Sequence, residues 1–234
     1  MPAEQPEVSI ILPTYNEREN LTQLVERLVG LNLNSEIIVV NDASPDGTAE
    51  VARKLAERHP LRLLERSGKL GLASAIIDGL NQARGNILTV MDADLSHDPN
   101  AVSQLVQTIR NGFDVAIGSR YVTGGGMVGW PLRRQWMSWL ATRAGRTLFR
   151  LTERDPMSGF FALKRAVFDR IKDKLRPQGY KLLMEILVRG QPLKTREIGY
   201  IFQDRLYGKS KISWAIAWQY LAMMFALLTR KRLK

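Results

Sequence analysis

The sequence predicts an α/β fold in which a mostly parallel central sheet is covered by helices on both faces. Short apolar runs bounded by polar breaks, typical of buried strands, alternate over about the first 120 residues with segments whose apolar residues recur at helical spacing. Alternation at this spacing forms βαβ units, and sheets built from such units are largely parallel. With 234 residues, 45% of them hydrophobic, the chain is long enough for one sizeable domain.

The individual elements follow in order along the chain. Strands are predicted over residues 8–12, 36–40, 61–64, 87–91 and 114–118. Helices are predicted over residues 17–31, 48–58, 72–83, 99–110 and 131–150. Pro13 ends the first strand, and Ser44-Pro45-Asp46-Gly47 forms a turn before the second helix. The pattern is therefore Rossmann-like over the first half of the chain.

A dinucleotide-binding fold of the usual kind is excluded by the absence of its glycines. The first strand leads into Pro13-Thr14-Tyr15-Asn16-Glu17, where no glycine allows a pyrophosphate to approach the helix start. The nearest glycine cluster, Gly68-Lys69-Leu70-Gly71, matches neither that fingerprint nor a Walker loop.

The charge of the chain indicates an anionic partner. Lys and Arg outnumber Asp and Glu by 34 to 23, a net charge of +11, which attracts nucleic acid, anionic lipid or phosphorylated ligands. The excess is concentrated after residue 130, which favours a membrane or phosphate partner over general solubility. No nucleic acid is expected as a partner. The chain has no cysteine, which excludes disulfides and thiolate chemistry, and its polar start predicts no signal peptide.

The pattern changes after residue 120. Thr123-Gly124-Gly125-Gly126-Met127 is expected to be a flexible loop, because consecutive glycines favour neither regular structure. The helix over residues 131–150 combines Trp136 and Trp139 with many arginines, a pattern typical of an amphipathic helix at a membrane interface. The alternative is a basic helix that packs on the sheet through its apolar stripe.

A second candidate membrane segment lies at the end of the chain. Residues 214–228 are apolar except for Gln219, and Arg230-Lys231-Arg232 follow. Fifteen residues are too few to span a bilayer comfortably, since a spanning helix needs about twenty. An interfacial helix, or the first part of a membrane region that is cut short, is expected; a final core helix is the alternative. We therefore divide the chain into a main domain, residues 1–212, which includes the helix over residues 131–150, and a membrane-associating helix, residues 213–234.

Acidic side chains follow three predicted strands. Asp92 and Asp94 come directly after the strand over residues 87–91, Asp42 follows the second strand, and Tyr15 and Glu17 follow the first. Ligands of open α/β sheets bind at the carboxyl ends of the strands. Two carboxylates one residue apart suit a divalent cation that also carries phosphates. Tyr15 is suited to stacking on a base, and Glu17 and Asp42 to accepting hydrogen bonds from base or ribose. This edge therefore predicts a nucleotide site.

These segments resemble family-2 glycosyltransferases, and within them the polyprenol (dolichol) monophosphate mannose synthases. The resemblance is carried by residues 8–17 and 40–48, by Met91-Asp92-Ala93-Asp94, and by Gly118-Ser119-Arg120-Tyr121, Asp155-Pro156-Met157-Ser158-Gly159-Phe160 and residues 205–211. It covers the chain from residue 8 to about residue 213. It implies a glycosyltransferase-A fold and inverting transfer of mannose from GDP-mannose to a polyprenyl (dolichyl) phosphate. It also implies Mg²⁺ or Mn²⁺ as cofactor, the cytoplasmic face of a membrane as location, and small membrane partner subunits.

The resemblance also assigns roles to individual residues. The nucleotide-sugar site would comprise Pro13, Tyr15, Glu17, Val40, Asp42, Asp92, Ala93, Asp94, Arg120, Arg205 and Lys211. The metal would be held by Asp92, Asp94 and Ser96. Asp94, Arg120 and Arg134 are the expected catalytic residues: Asp94 anchors the metal, and the two arginines hold the acceptor phosphate. That phosphate is already anionic near neutral pH, so a strong general base is not required.

Several alternatives remain open from the sequence. Ser96 stands where many family members have a glutamine ligand, and Asn41 stands where aspartate is frequent. His97 is expected to cap the following helix. Asp155 and Ser158 either lie near the sugar or end a helix. The donor could instead be a UDP-sugar such as UDP-glucose, and a non-catalytic nucleotide-sugar-binding scaffold of a membrane complex is the alternative from another class.

Overall fold

The computed structural model describes residues 5–176 and 181–204. The strands are β1 Val8–Thr14, β2 Ser35–Asn41, β3 Leu61–Glu65, β4 Ile87–Val90, β5 Val115–Ser119, β6 Gly126–Val128, β7 Phe161–Lys164, β8 Thr195–Gly199 and β9 Ile201–Gln203. The helices are α1 Arg18–Val29, α2 Thr48–Ala56, α3 Leu72–Gln82, α4 Ala101–Arg110, α5 Leu132–Phe149, α6 Arg165–Ile171 and α7 Leu182–Arg189. A short 3₁₀ turn, Lys172–Lys174, follows α6.

A seven-stranded sheet forms the centre of the described residues, in the order β3-β2-β1-β4-β7-β5-β8. Only β7 runs antiparallel to its neighbours within this sheet, so the prediction of a mostly parallel sheet is confirmed. All seven residues of β1 pair in parallel register with β2, and β1 is also parallel to β4. The carboxyl ends of β1, β2 and β4 therefore meet at one edge of the sheet.

The sheet is buried on both faces, because successive side chains of a strand point to opposite sides. Ile11 of β1 packs into a cluster with residues of α3, α6 and α7. Ile10 and Leu12, its neighbours in the chain, pack into a second cluster with residues of α1 and α4. The all-apolar strands seen in the sequence thus have helices on both faces, as predicted.

The prediction of a flexible loop around the three glycines is wrong for Gly126 and Met127. These residues belong to β6, which pairs in parallel with β9 to form a small second sheet. Gly125 permits the chain before β6 to fold back on the end of β5, since a Cβ there would lie 2.5 Å from the backbone oxygen of Ser119. β6 forms by pairing with β9, which lies about 75 residues later in the chain. The local sequence around the glycines does not reveal this pairing.

Helix α5 exposes most of its large apolar side chains, although Phe149 at its end packs into the core. The residues it buries are Thr142, Gly145 and Phe149. Its exposed large apolar side chains are Leu132, Trp136, Met137, Trp139, Leu140 and Leu148. The alternative in which α5 packs on the sheet through its apolar stripe is therefore wrong, whereas membrane association of α5 stays a prediction. Within residues 5–176 and 181–204, no helix is both long and apolar enough to cross a membrane. The segment 213–234 lies outside the described residues.

Candidate active site

The three strand ends are held together by backbone hydrogen bonds that cross from strand to strand. The amide of Asp42 donates to the carbonyl of Thr14 at 2.9 Å, and that of Met91 donates to Ile11 at 3.2 Å. The segments that follow β1, β2 and β4 are consequently side by side. Tyr15, Glu17, Asp42 and the Asp92–Asp94 motif lie along one edge, as the sequence predicted.

The carboxylate motif is fixed by its own tight turn. Asp94 is almost fully buried, and its Oδ1 accepts hydrogen bonds from the amide of Ser96 at 3.1 Å and from the Ser96 hydroxyl at 2.5 Å. Leu95 between them adopts a left-handed conformation with φ of 59°. The Asp92 side chain is 30% exposed. One carboxylate is therefore set deep in the site, and the other reaches its surface.

His97 supports this motif from behind. Its Nδ1 accepts a hydrogen bond from the amide of Asp92 at 3.2 Å. The buried ring stacks on Phe160 at 5.1 Å and meets Tyr200 and Phe202 edge-on. The expectation that His97 caps the following helix is wrong, because α4 begins only at Ala101 and the ring instead anchors the Asp92 backbone.

The donor atoms present fit a divalent cation that arrives with a diphosphate. Among the described residues, no group of three or more His, Cys, Asp or Glu side chains could hold a metal alone. The protein offers the carboxylates of Asp92 and Asp94, with the Ser96 hydroxyl oxygen beside them. Mg²⁺ sites in enzymes typically use one or two carboxylates and complete the shell with substrate phosphates and water.

Two residues predicted to bind the nucleoside, Asp42 and Tyr15, already contact other groups of the protein. The Asp42 carboxylate accepts hydrogen bonds from Arg66 at 2.6 Å and from the amides of Leu70 and Gly71 at 2.9 Å. A carboxylate offers about four acceptor positions, so most of Asp42 serves to order the loop over residues 66–71. The ammonium of Lys69, in this loop, lies 3.7 Å above the Tyr15 ring.

The remaining predicted nucleoside residues have different exposures. Glu17 is partly exposed, and its Oε2 accepts a hydrogen bond from the Asn20 amide group at 2.8 Å. Pro13 and Val40 are paired partners in the β1–β2 register, and both are buried. Ala93 is buried as well. These three residues are therefore less accessible to a ligand than Tyr15 and Glu17, which are partly exposed.

Arg120 and Asp155 form a buried ion pair behind the site. The Arg120 guanidinium donates two parallel hydrogen bonds of 2.8 Å to the two carboxylate oxygens of Asp155. The Arg120 amide donates to the same group at 3.1 Å. Burial alone would lower the pKa of Arg120, but the hydrogen bonds and charge of Asp155 outweigh it and raise the pKa above its ordinary value. Asp155 therefore acts on Arg120 rather than ending a helix.

Arg120 and Arg134 are brought together against one indole ring. The Arg134 guanidinium carbon lies 3.8 Å from the centre of the Trp130 ring, and that of Arg120 lies 5.8 Å from it. Arg134 also reaches Asp204, with 3.4 Å between Nη1 and Oδ1. The pairing of these two arginines was expected only from family spacing. Trp130 was not predicted.

Lys181 is a site residue that the sequence did not reveal. Its Nζ donates to the backbone oxygen of Met157 at 3.2 Å. Burial, followed by the positive charge of Arg120, lowers the pKa of Lys181 to about 8, and Asp155 and Asp92 oppose this. The ammonium group thus lies within electrostatic reach of both the carboxylate motif and the arginine pair. No local motif surrounds it, so only the fold brings it here.

Two predicted donor-site residues, Arg205 and Lys211, lie outside the described residues. The same holds for the apolar segment over residues 214–228. Their expected roles stay predictions.

Known proteins resemble this chain over most of its length. A dolichol-phosphate mannosyltransferase from Pyrococcus furiosus is 43% identical over 225 residues, which cover 94% of this chain and 63% of that protein. A polyprenol monophosphomannose synthase from Mycolicibacterium smegmatis is 37% identical over 212 residues, covering 87% of this chain and 80% of its own length. The chain thus spans less than two thirds of the archaeal relative.

Solved structures share the fold. A mannosyltransferase from Pyrobaculum calidifontis, in complex with GDP-Man and Mn²⁺, superposes with a TM-score of 0.68 at 22% identity, over 98% of this chain and 66% of its own. Glucosyl-3-phosphoglycerate synthase from Mycobacterium tuberculosis, in complex with Mn²⁺ and UDP-glucose, gives a TM-score of 0.72 at 18% identity, over 96% of this chain and 80% of its own. The expected glycosyltransferase-A fold is confirmed.

The family model described as glycosyl transferase family 2 matches residues 9–172. This range runs from β1 through the Asp92–Asp94 motif and the Arg120–Asp155 pair to the end of α6, and so includes most of the site described above. The agreement between the matched range, the relatives and the arrangement of the strand-end carboxylates assigns the chain to glycosyltransferase family 2.

Proposed function

We propose that this chain transfers mannose from GDP-mannose to a polyprenyl (dolichyl) phosphate with inversion, at the cytoplasmic face of a membrane. The observation that carries the proposal is the meeting of two differently charged halves in one site. The carboxylates of Asp92 and Asp94 form one half, and the arginines gathered at Trp130 form the other. The amide of Gln203 donates to the carbonyl of Ser96 at 3.1 Å, and the next residue, Asp204, pairs with Arg134, so the two halves adjoin. The names of the relatives in P. furiosus and M. smegmatis support the same donor sugar and acceptor class.

The carboxylate half suits the donor. A Mg²⁺ or Mn²⁺ ion held there would balance the charge of the departing diphosphate. Asp94 is oriented by Ser96 before any ligand binds, so its charge needs little reorganisation during the reaction. Tyr15 offers a ring face to the base, and Glu17 a carboxylate. Arg205 and Lys211 are proposed to neutralise the diphosphate further.

The arginine half suits an acceptor that carries a phosphate. A phosphate monoester is largely ionised near pH 7, so it attacks without losing a proton to the protein. In the reaction a phosphate oxygen of the acceptor forms a bond to the anomeric carbon of mannose, and the bond from that carbon to GDP breaks. Arg134 and the ammonium of Lys181 are the charges suited to position the attacking phosphate, and Arg120, held by Asp155, supports them.

The membrane location is supported by helix α5. Its outward side chains include Trp136, which is 69% exposed, and Leu140, which is 61% exposed. A lipid acceptor requires the site to lie at a bilayer surface, and a helix with exposed tryptophans among arginines is suited to that position. Small membrane partner subunits are compatible with this placement.

A donor panel tests the proposal. The full chain is incubated with polyprenyl phosphate, Mg²⁺ or Mn²⁺, and radiolabelled GDP-mannose or UDP-glucose, and the lipid extract is counted. We expect labelled lipid from GDP-mannose alone. Product from UDP-glucose alone would overturn the mannose assignment. Absence of labelled lipid with every donor, while GDP still binds, would leave a non-catalytic nucleotide-sugar-binding scaffold.

A further inference from the structure

A second basic site lies beside α5, outside the residues assigned to donor or acceptor. It is a cavity of about 300 Å³ lined by Tyr121, Trp139, Thr142, Arg143, Arg146 and Arg154. Three arginines in one cavity create a strong preference for an anion. We name this cavity the α5 pocket.

The arginines of the α5 pocket differ from those of the active site in their partners. Arg120 and Arg134 are ion-paired with Asp155 and Asp204. Within the part of the chain that the structure describes, Arg143, Arg146 and Arg154 have no carboxylate within ion-pair distance. The carboxylate of Glu197 accepts a hydrogen bond from the Arg154 amide at 2.7 Å, but it forms no ion pair with the Arg154 guanidinium group. The guanidinium groups of the pocket are therefore not directly neutralised by the described residues.

Arg146 also has a donor without an acceptor. One terminal nitrogen donates to the backbone oxygen of Thr152 at 3.3 Å, but the buried Nε has no hydrogen-bond partner among the described residues. Buried polar groups are nearly always hydrogen-bonded, and each exception requires an explanation such as an ion or ligand. The Nε therefore lies just beneath the lining of the pocket, and a phosphate there would be bound by the guanidinium groups that line it, since guanidinium groups bind phosphate in a two-pronged geometry.

The walls of the pocket favour a lipid over a free anion. Trp139 lines the pocket and is 43% exposed, and it contacts Trp136, with 5.6 Å between the two ring centres. Arg143 lies 5.6 Å from the Trp139 ring. Indole rings prefer the headgroup level of a bilayer. A helix that lies in the interface with its apolar side chains in the acyl boundary holds its neighbouring arginines at the level of the lipid phosphates.

We propose that the α5 pocket binds the phosphodiester headgroup of an anionic membrane lipid, which is neither the donor nor the acceptor of the reaction. The headgroup would lie among Arg143, Arg146 and Arg154, while Trp136, Trp139 and Leu140 enter the bilayer beside it. Bound in this way, α5 is held at a defined depth and rotation. The membrane setting rests on the proposed function, but binding of the headgroup does not require turnover.

The first test compares two double variants that each remove two positive charges, one pair in the α5 pocket and one pair far from it. The double variant Arg143→Gln/Arg154→Gln removes two exposed charges whose side chains make no described hydrogen bond. The α2 variant, Lys54→Gln/Arg58→Gln, removes two exposed charges from α2 and from the turn that follows it; α2 packs on β3 at the opposite edge of the sheet. Full-length proteins are floated with vesicles of phosphatidylcholine, with and without phosphatidylglycerol, in the absence of donor and acceptor.

We expect the wild type to prefer the phosphatidylglycerol vesicles. The pocket variant should lose about tenfold or more in affinity for them, given the contribution of each arginine near an anionic surface, and the α2 variant about twofold or less. Equal losses in the two variants would overturn the pocket in favour of general attraction. Equal binding of the wild type to both vesicles would overturn it as well.

The second test separates a lipid headgroup from free phosphate. The Nε–H NMR signal of Arg146, assigned by its loss in Arg146→Lys, is followed on addition of short-chain phosphatidylglycerol below its micelle concentration, or of inorganic phosphate. A shift with the lipid at concentrations where phosphate has no effect supports the proposal. An equal response to phosphate would make this a free-anion site. A raised KM of the pocket variant for polyprenyl phosphate in detergent would assign the pocket to the acceptor.

Discussion

At the scale of single residues, each charged group of the site is positioned by partners within the protein. Ser96 orients Asp94, Asp155 orients Arg120, and Arg66 orients Asp42. These contacts are present without a ligand, so a substrate bound at the candidate site would meet charges whose geometry is already set. Preorganised charge of this kind is usually the largest contribution to transition-state stabilisation.

Substitution of Asp94 and of Ser96 should have effects of different kinds. Asp94→Asn removes the buried charge and should lower turnover by about 100-fold or more at any Mg²⁺ concentration. Ser96→Ala keeps the charge but loses its orientation, and should raise the metal concentration for half-maximal activity by about 10- to 100-fold. Metal titrations of the two variants measure this. Near-normal turnover of Asp94→Asn in excess Mg²⁺ would contradict its role.

Arg134→Ala should weaken use of the acceptor while leaving donor binding intact. Arg134 lies on α5 against Trp130 and pairs with Asp204, so its loss removes charge from the arginine half of the site and leaves the carboxylates of Asp92 and Asp94 in place. We expect KM for polyprenyl phosphate to rise by about tenfold or more, with an unchanged Kd for GDP by calorimetry. An equal loss of GDP affinity would place Arg134 in the donor half instead.

Lys181 should make stability depend on pH in the alkaline range. Its pKa falls from 10.5 to about 8 on folding, so between these values the folded protein binds fewer protons than the unfolded chain. The free energy of unfolding therefore increases as the pH rises from about 8 to 10.5. Below pH 8 Lys181 is charged in both states, and the full cost of burying its charge lowers the stability of the folded protein.

Lys181→Met removes this titration. The variant should exceed wild type in free energy of unfolding by the largest amount below pH 8. This advantage should shrink as the pH is raised from about 8 to 10.5. Urea denaturation across this range, with Lys54→Met as an exposed reference, measures it. A difference between wild type and Lys181→Met that does not change with pH would refute the shift.

At the scale of elements, the layers depend on close contact between helices and sheet. Helix α3 lies so close to β1 and β2 that a Cβ on Gly79 would be 2.6 Å from Cγ2 of Ile11 and 2.9 Å from Cγ2 of Val40. Interiors are packed nearly as densely as organic crystals, so there is little room for adjustment. The position of α3 in turn sets the loop over residues 66–71 that precedes it.

Gly79→Ala should consequently destabilise the protein. Overpacking of a core typically costs 1–3 kcal/mol, and the better helix propensity of alanine returns at most about 1 kcal/mol, so a net loss of about 1–2 kcal/mol is expected. Gly68→Ala is the matched control, because a Cβ there meets nothing within 4 Å. It should change the free energy of unfolding by less than about 0.5 kcal/mol. Equal urea midpoints for both variants would contradict the packing.

At the scale of the whole molecule, the carboxylates and the arginines of the site come from different parts of the fold, and the exposed apolar surface lies on the arginine side. Carboxylates lie at the ends of β1, β2 and β4. Arginines gather near α5, whose apolar side chains face outward. A sugar nucleotide approaching from water and a phosphate approaching from a lipid surface would therefore meet from two sides. The net charge of +11 also attracts an anionic membrane.

The membrane face can be tested with two leucines of equal exposure. Leu140 on α5 is 61% exposed, and Leu70 in the loop before α3 is 60% exposed. Leu140→Gln should weaken vesicle binding by about tenfold, because it removes roughly 1.5 kcal/mol of binding free energy that comes from burying the apolar side chain. Leu70→Gln should leave binding unchanged. Equal effects of the two substitutions in a flotation assay would show that α5 is not the membrane face.

The sequence alone determined the alternating strands and helices of the first half and the position of the acidic motifs at one sheet edge. It could do so because buried parallel strands are continuous apolar runs, and because ligand-binding residues of such sheets follow the strands directly. Asp92, Asp94, Tyr15, Glu17 and Asp42 were identified in this way. Arg120 and Arg134 required the additional resemblance to a family.

Only the tertiary structure decided which groups outside those motifs join the site. Asp155 meets Arg120, and Lys181 approaches both halves, through contacts between segments far apart in the chain. The β6–β9 pair and the outward orientation of the apolar side chains of α5 have the same origin. Contacts of this kind depend on how β7, β8 and the later helices close over the first half. Local periodicity carries no information about them, which is why the motif around Asp94 was visible in the sequence and its surroundings were not.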